Sequence, residues 1–171
     1  MENRKIENLC IYLVNKNGEF VSGLFPYLKN YITSNTILVM GKSTWNSLPD
    51  RYKESFEKQI VIVSSTKITM PLLMTLFRSP DAFLEYAERE KDKEFLVIGG
   101  AKLYEKSLNF AHKVLIASIE GSTEKSADPA SLLGLSLEFQ RILKSNFSSK
   151  ESEALLQDGG IIGKLTVLCK K

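Results

Sequence analysis

Two short loops carry the residue types that hold an anionic ligand. The first is Met40-Gly41-Lys42-Ser43-Thr44-Trp45, where the apolar run Thr36–Met40 closes on a glycine and a lysine and two hydroxyls follow. Backbone N–H groups at a helix N-terminus attract anions, and Lys42, Ser43 and Thr44 add further donors. The same residues also suit a plain helix start, with Ser43 as N-cap over a packed Trp45. The second loop is Val97-Ile98-Gly99-Gly100-Ala101. Adjacent glycines allow a backbone to approach a ligand closely, and they also make ordinary tight turns. A third apolar run, Gln59–Val63, ends in Ser64-Ser65 with Lys67 nearby. In an open α/β sheet ligands bind beyond the carboxyl ends of the strands, which is where all three segments fall. The chain has neither a GxGxxG fingerprint nor a Walker motif.

Positioning these loops is the task of one expected domain spanning residues 1–171. Hydrophobic residues make up 43% of the chain and charged residues 25%, a balance that supports a packed core. The net charge of +3 comes from scattered lysines, with no basic stripe interleaved with aromatics. That argues against a nucleic-acid partner and leaves room for a phosphate-bearing small ligand. No apolar run is long enough to cross a bilayer, and the charged start Met1–Asn8 does not read as a signal peptide. The expectation is a soluble cytoplasmic protein, monomer or homodimer. Cys10 and Cys169 lie in separate apolar segments and read as reduced, buried thiols. With a single histidine and no Cys-x-x-Cys pair, no metal site is expected. That histidine, His112, reads as a surface residue where a strand begins.

The coarse pattern alternates strands with helices on short connections, as in a mostly parallel sheet covered on both faces. Strands are expected at Leu9–Val14, Thr36–Met40, Gln59–Val63, Leu72–Phe77, Phe95–Ile98 and Lys113–Ile119. Helices are expected at Leu24–Asn35, Ser43–Leu48 (cut off before Pro49) and Ala101–Leu108. A further helix starts at Ser79-Pro80-Asp81, with Ser79 as N-cap and Pro80 at the first helical position, and runs into Glu88–Glu94. Phe139–Lys144 and Lys164–Cys169 read as two closing strands, joined by a long loop into an antiparallel edge hairpin.

Taken in order, Ile37–Leu48, Gln59–Ser65, Phe95–Tyr104 and Lys113–Ile119 resemble the dihydrofolate reductase family. The pairing of Met-Gly-x-x-Thr-Trp with a downstream Ile-Gly-Gly-x-x-x-Tyr is the specific part of the likeness. The resemblance implies an α/β fold with a central, mostly parallel eight-stranded sheet, flanking helices and a C-terminal antiparallel hairpin. It implies NADPH as cofactor. Lys42, Ser43 and Thr44 would reach its phosphates, with Gly41 at the turn, and Ser64, Ser65 and Lys67 would surround the adenosine 2′-phosphate. Gly99, Gly100, Ala101, Lys102, Leu103 and Tyr104 would line the nicotinamide and pyrophosphate, and Cys10 and Ile11 would lie beside the carboxamide. The family joins the two glycines by a cis peptide bond, a form rare outside proline. Leu9, Leu28, Ile32, Leu48 and Ile98 would line the substrate cavity. For Leu28 and Ile32, plain core packing serves equally well.

The substrate half departs from the family pattern. The family places one buried carboxylate on its first helix, where it orients the pterin and supports ring protonation. Alignment on Pro26 puts Leu28 there, and counting back from Met40-Gly41 puts Phe25 there. Either way, residues 20–49 contain no Asp, Glu or His. The threonine that backs the carboxylate falls at Ala117, the folate-gripping arginine at about Lys58, and the tryptophan of the first loop is missing, since Trp45 is the only one. Lysine attracts a carboxylate as a point charge, without arginine's bidentate fork. Glu19, at the edge of the shortened loop, reads better as a solvated turn residue than as a substitute acid.

Three functions follow as expectations. The first is NADPH-dependent reduction of dihydrofolate to tetrahydrofolate, in one-carbon metabolism. The second is reduction of a different heterocycle, as by the pyrimidine reductases of the riboflavin pathway. The third is a nucleotide-binding protein of this fold that has lost catalysis. The reductase class is the preferred reading, with catalytic residues unassigned.

Overall fold

The parallel core is built on three strand-to-helix steps, at residues 36–47, 75–89 and 94–108, in which the helix packs back on its strand. The computed structural model describes residues 5–16, 19–21, 31–56, 59–69, 74–119, 136–157 and 160–171. In chain order the elements are β1 (Ile6–Lys16), β2 (Glu19–Val21), β3 (Thr36–Gly41), α1 (Lys42–Ser47), α2 (Asp50–Phe56), β4 (Ile60–Val63) and β5 (Thr75–Phe77). They continue with α3 (Pro80–Arg89), β6 (Glu94–Gly99), α4 (Ala101–Leu108), β7 (Ala111–Ile119), α5 (Leu137–Asn146), β8 (Phe147–Gln157) and β9 (Gly160–Lys170). Among the described residues the sheet runs β5-β4-β3-β6-β1-β7-β9-β8, and β2 pairs with β1 off this path, making nine strands. Every neighbour from β5 to β7 is parallel. β9 and β8 then close the sheet antiparallel. The expected eight-stranded, mostly parallel sheet with a C-terminal hairpin is therefore present, with β2 added.

Period-two alternation along β1 divides the core between the two faces of the sheet. Leu9, Ile11 and Leu13 pack with Phe83 and Leu84 of α3, Leu103 and Tyr104 of α4, and Phe139 of α5. Cys10, Tyr12 and Val14 face the other way, with Met40, Trp45, Leu48, Ile98 and Ala117. The site described below belongs to the carboxyl edge that both faces share.

Several sequence expectations need correction. Phe139–Lys144 is not a strand but the body of α5. The Ser136 side chain caps that helix by accepting from Phe139 N at 3.1 Å, and Arg141 donates to Glu138 one turn back. The hairpin partner of β9 is β8 instead, so the two closing strands are two residues apart in the chain rather than separated by a long segment. α2 is an addition to the expected elements: Pro49 ends one helix, and its carbonyl accepts from Tyr52 N and Lys53 N and so starts another. Of the helix expected over 24–35, residues up to 30 lie outside the described residues, and 31–35 form a turn. Thr33 and Thr36 hydroxyls hold that turn, accepting from Asn35 N at 3.2 Å and Thr33 N at 3.0 Å. Short hydroxyl side chains offer the backbone such partners in competition with the helix. The strand expected over 72–77 is seen only as Thr75–Phe77. α3 ends at Arg89, so the charged run beyond it is turn and the start of β6.

The cysteines are both free, Cys10 buried and Cys169 half-buried, and burial pushes the Cys10 thiol up to about 12. His112 is not a surface residue. It is half-buried in β7, with Nδ1 2.9 Å from the Leu9 carbonyl. Burial lowers its pKa from the ordinary 6.5, and Lys113 and Lys5 push the same way. Among the described residues no helix is long and apolar enough to cross a membrane.

Two outcomes follow. Ser79 accepts from Ala82 N at 3.1 Å at the start of α3, so Ser79→Ala should cost about 1 kcal/mol in urea unfolding. The unfolded chain binds a proton at His112 more readily than the folded one. Stability should therefore fall as pH drops below about 6.5, and His112→Gln should flatten that part of the denaturation-versus-pH curve.

Candidate cofactor groove and substrate face

The two glycine turns meet. A Cβ placed on Gly41 would lie 3.8 Å from Gly100 N and from Val63 O, and 4.0 Å from Gly99 O. The register explains this: β3 and β6 are parallel neighbours with Met40 opposite Gly99. Gly99 adopts φ 148°, a region essentially closed to side chains, and its bond to Gly100 is cis. Beyond Gly100, Thr44 is buried and its Oγ1 would sit 3.8 Å from a Cβ on that glycine.

A groove of about 580 Å³ opens over this junction. Gly41, Lys42, Ser43 and Thr44 form one wall, Ser64 and Ser65 a second, and Gly100, Ala101, Lys102 and Leu103 a third. Ser43 is not an N-cap. That position belongs to Gly41, as it belongs to Gly100 in α4, and neither helix start has a side-chain cap or an acidic residue in its first turn. Two sets of uncapped N–H groups and the exposed cations Lys42 and Lys102 thus border one cavity. This is the electrostatics of a site for a polyanion.

The third strand end is a turn built on hydroxyls. Ser64 Oγ lies 3.1 Å from the Thr66 carbonyl and 3.2 Å from Thr66 Oγ1. Lys42 Nζ donates to Thr66 Oγ1 at 3.4 Å, and Arg78 donates to the Thr66 carbonyl at 3.1 Å. Lys67 is exposed and stands outside the groove wall. Arg78 and the wall residues Ser47, Val63 and Pro80 were missed in the sequence. The signal for Arg78 was its place just after β5, which ends on the same edge as β4.

Other expected residues fall elsewhere. Cys10 and Ile11 pair with Leu96 and Val97, short of the glycines. Tyr104 does not line the groove: it is fully buried, and its OH donates to the Tyr12 carbonyl at 2.8 Å. Burial holds its pKa well above the ordinary tyrosine value, so it stays a neutral donor. Leu48, Ile98 and Ala117 share one sheet face, with Ile32 packed against them. Leu9 points to the opposite face and is core packing. Leu28, Phe25 and Lys58 lie outside the described residues. Glu19 opens β2, opposite Lys16. Among the described residues no group of three His, Cys, Asp or Glu is placed to hold a metal.

Residues 25–154 match the family model for dihydrofolate reductase. The chain belongs to the dihydrofolate reductase family. It is 36% identical over 90 residues to the dihydrofolate reductase type A10 of Escherichia coli, covering 51% of this chain and 46% of that protein. It is 31% identical over 87 residues to a dihydrofolate reductase of Schistosoma mansoni, covering 48% and 44%. The chain thus spans about half the length of the curated relatives it matches. Solved structures resemble it over nearly their full length. A Schistosoma mansoni dihydrofolate reductase gives a TM-score of 0.68 at 17% identity, covering 96% of this chain and 99% of the other. The Enterococcus faecalis dihydrofolate reductase complexed with NADP(H) and RAB-propyl gives 0.61 at 13% identity, covering 98% of each. At these identities the structural likeness establishes the fold.

The backbone at the junction sets a test. Gly99→Ala should lose about 1–3 kcal/mol because its φ is closed to a Cβ. Gly41 is extended, with ordinary contact distances around its missing Cβ, so Gly41→Ala should stay within about 0.5 kcal/mol in the same urea titration.

Proposed function

We propose that this protein is an NADPH-dependent reductase of dihydrofolate or a closely related heterocycle. One observation carries the reading: Gly41 and Gly99–Gly100 converge on a single groove bordered by two uncapped helix starts and two lysines. The donor set fits a dinucleotide carrying several phosphates, and the volume lies within the range of ligand sites. Lys42, Ser43 and Thr44 would take one phosphate, Ala101 and Lys102 the next, and the Ser64–Thr66 turn, braced by Arg78, the phosphate on the adenosine. A bound NADPH supplies a hydride. The protein's part is to hold the dinucleotide at the strand ends and to present Ile98, Leu48 and Ala117 as an apolar wall for the acceptor ring. Its place would be the cytoplasmic one-carbon pool, acting on a small molecule.

The lack of any acid or histidine in residues 20–49 favours a second reading, a heterocycle other than a pterin, such as a ribosylated pyrimidine. Trp45, buried in α1 next to the groove residue Thr44, is a natural reporter. NADPH should change its fluorescence saturably. Lys42→Gln and Lys102→Gln should each weaken binding roughly tenfold, the worth of one charge-assisted hydrogen bond. Oxidation of NADPH with dihydrofolate, followed spectrophotometrically beside the same assay with a ribosylated pyrimidine, decides between the substrates. Absence of NADPH binding would overturn both readings.

A further inference from the structure

Away from the groove, three adjacent strands set a lysine between two cysteines. In the parallel pair β1–β7, Cys10 stands opposite Lys113, and in the antiparallel pair β7–β9, Lys113 stands opposite Cys169. Residues opposite one another share a face of the sheet. Both cysteines pack in the apolar cluster of that face, with Leu96, Leu115 and Val167. The row is level with Leu96, short of the glycine junction. Neighbouring strands lie about 4.8 Å apart, so roughly 10 Å separates the two cysteines, more than a disulfide spans. The thiols also differ in access. Cys10 is 8% exposed, and burial holds it as a thiol with its pKa pushed up to about 12. A buried thiol of that kind is inert toward oxidants. Cys169 is half-buried, at the end of the last strand. Lys113 is half-buried as well, and among the described residues its Nζ makes no hydrogen bond or ion pair. It borders a cavity of about 40 Å³ shared with Cys10, Glu94, Tyr31 and Thr36, which leaves its side chain room to turn.

We infer that Cys169 is a peroxide-sensitive modification site whose oxidised sulfur is captured by the Lys113 amine, closing a sulfur–nitrogen bond between β9 and β7. The oxidant is hydrogen peroxide. One peroxide oxygen bonds to Cys169 Sγ as the O–O bond breaks, and the thiol proton leaves with the other oxygen as water. The sulfur is oxidised by two electrons to a sulfenic acid, and the peroxide is reduced. Lys113 Nζ then attacks the sulfur and the S–O bond breaks. Of the two protons the ammonium gives up, one departs with the hydroxide as a second water and one passes to solvent. No electrons are exchanged in this second step. A sulfenic acid condenses in this way with a thiol or a nitrogen. Here the other thiol is out of reach, and the residue directly opposite is an amine. Opposed Cβ atoms lie about 5 Å apart, a gap that lysine's flexible four-carbon stem crosses easily. A small thiol reverses the link by attacking the sulfur and releasing the amine. No part of this chemistry uses the nucleotide groove.

The test treats the whole folded protein with a modest molar excess of hydrogen peroxide and reads its intact mass and tryptic peptides. The wild type should lose two hydrogens and gain no oxygen. Trypsin should no longer cut after Lys113, and the peptide carrying Lys113 should appear joined to Leu165–Lys170, which carries Cys169. After denaturation Cys10 should still alkylate, which separates the link from a disulfide of equal mass. Excess dithiothreitol should restore the original mass and the cut at Lys113. Dimedone, a sulfenic acid trap, should divert the reaction when present from the start, adding to Cys169 and leaving Lys113 free. Lys113→Arg keeps the charge but removes the nucleophile, so it should lose the link and accumulate oxygen on Cys169 instead. If that variant does not fold, the wild-type peptide map decides alone. A disulfide between Cys10 and Cys169, oxygen retained on wild-type Cys169 beside a free Lys113, or a Cys169 left untouched would each overturn the proposal. So would a loss of two hydrogens that persists in Lys113→Arg.

Discussion

The structure depends on one close approach of backbone to backbone. β3 and β6 end side by side, and a Cβ on Gly41 would already be in van der Waals contact with the backbone of Gly99 and Gly100. Three consequences share this origin. The helices that follow begin next to each other, their free N–H groups face one cavity, and the lysines just inside each helix flank it. Two loops weak as separate signals become one site because adjacent parallel strands carry them to the same edge.

The sheet assigns different work to its two faces. One face is sealed by α3, α4 and α5 over a continuous apolar layer, with phenylalanine and tyrosine rings in edge contact at its centre. The other holds the apolar wall next to the groove, and its polar content is sparse and buried. Tyr104 joins the faces. It belongs to the sealed layer, yet its hydroxyl reaches the backbone of β1 at the residue whose side chain points the other way. Packing on one side thus fixes a stretch of backbone whose side chains serve the other.

The convergence of the two glycine loops was legible in the sequence because its signals are local. Ser79-Pro80 fixed the start of α3, and Gly100 bounded α4 at residues 101–108 as expected. The errors arose where a local pattern admits two answers. Phe139–Lys144 is a short mixed segment, with Phe139, Ile142 and Leu143 apolar, that fits a strand or a helix, and Ser136 three residues upstream was the deciding cap. Pro49 stops one helix and starts another, and only its contacts reveal the second role. The pairing of Cys10 and Ile11 with Leu96 and Val97 could not be read beforehand, because relative register belongs to the pair, not to either sequence.

The C-terminal hairpin leaves β8 as the outer strand at one end of the sheet, eleven residues long and with one flank unpaired among the described residues. A flat, apolar rim of that length would recruit further chains by β-addition. Here the register slips between Ser149 and Glu151 and again between Leu155 and Leu156, and Lys150, Glu151 and Glu153 are exposed along it. Interrupted pairing and charge make this rim a poor template for sheet-to-sheet polymerisation. A fold with so long an open border can therefore remain dispersed at high concentration.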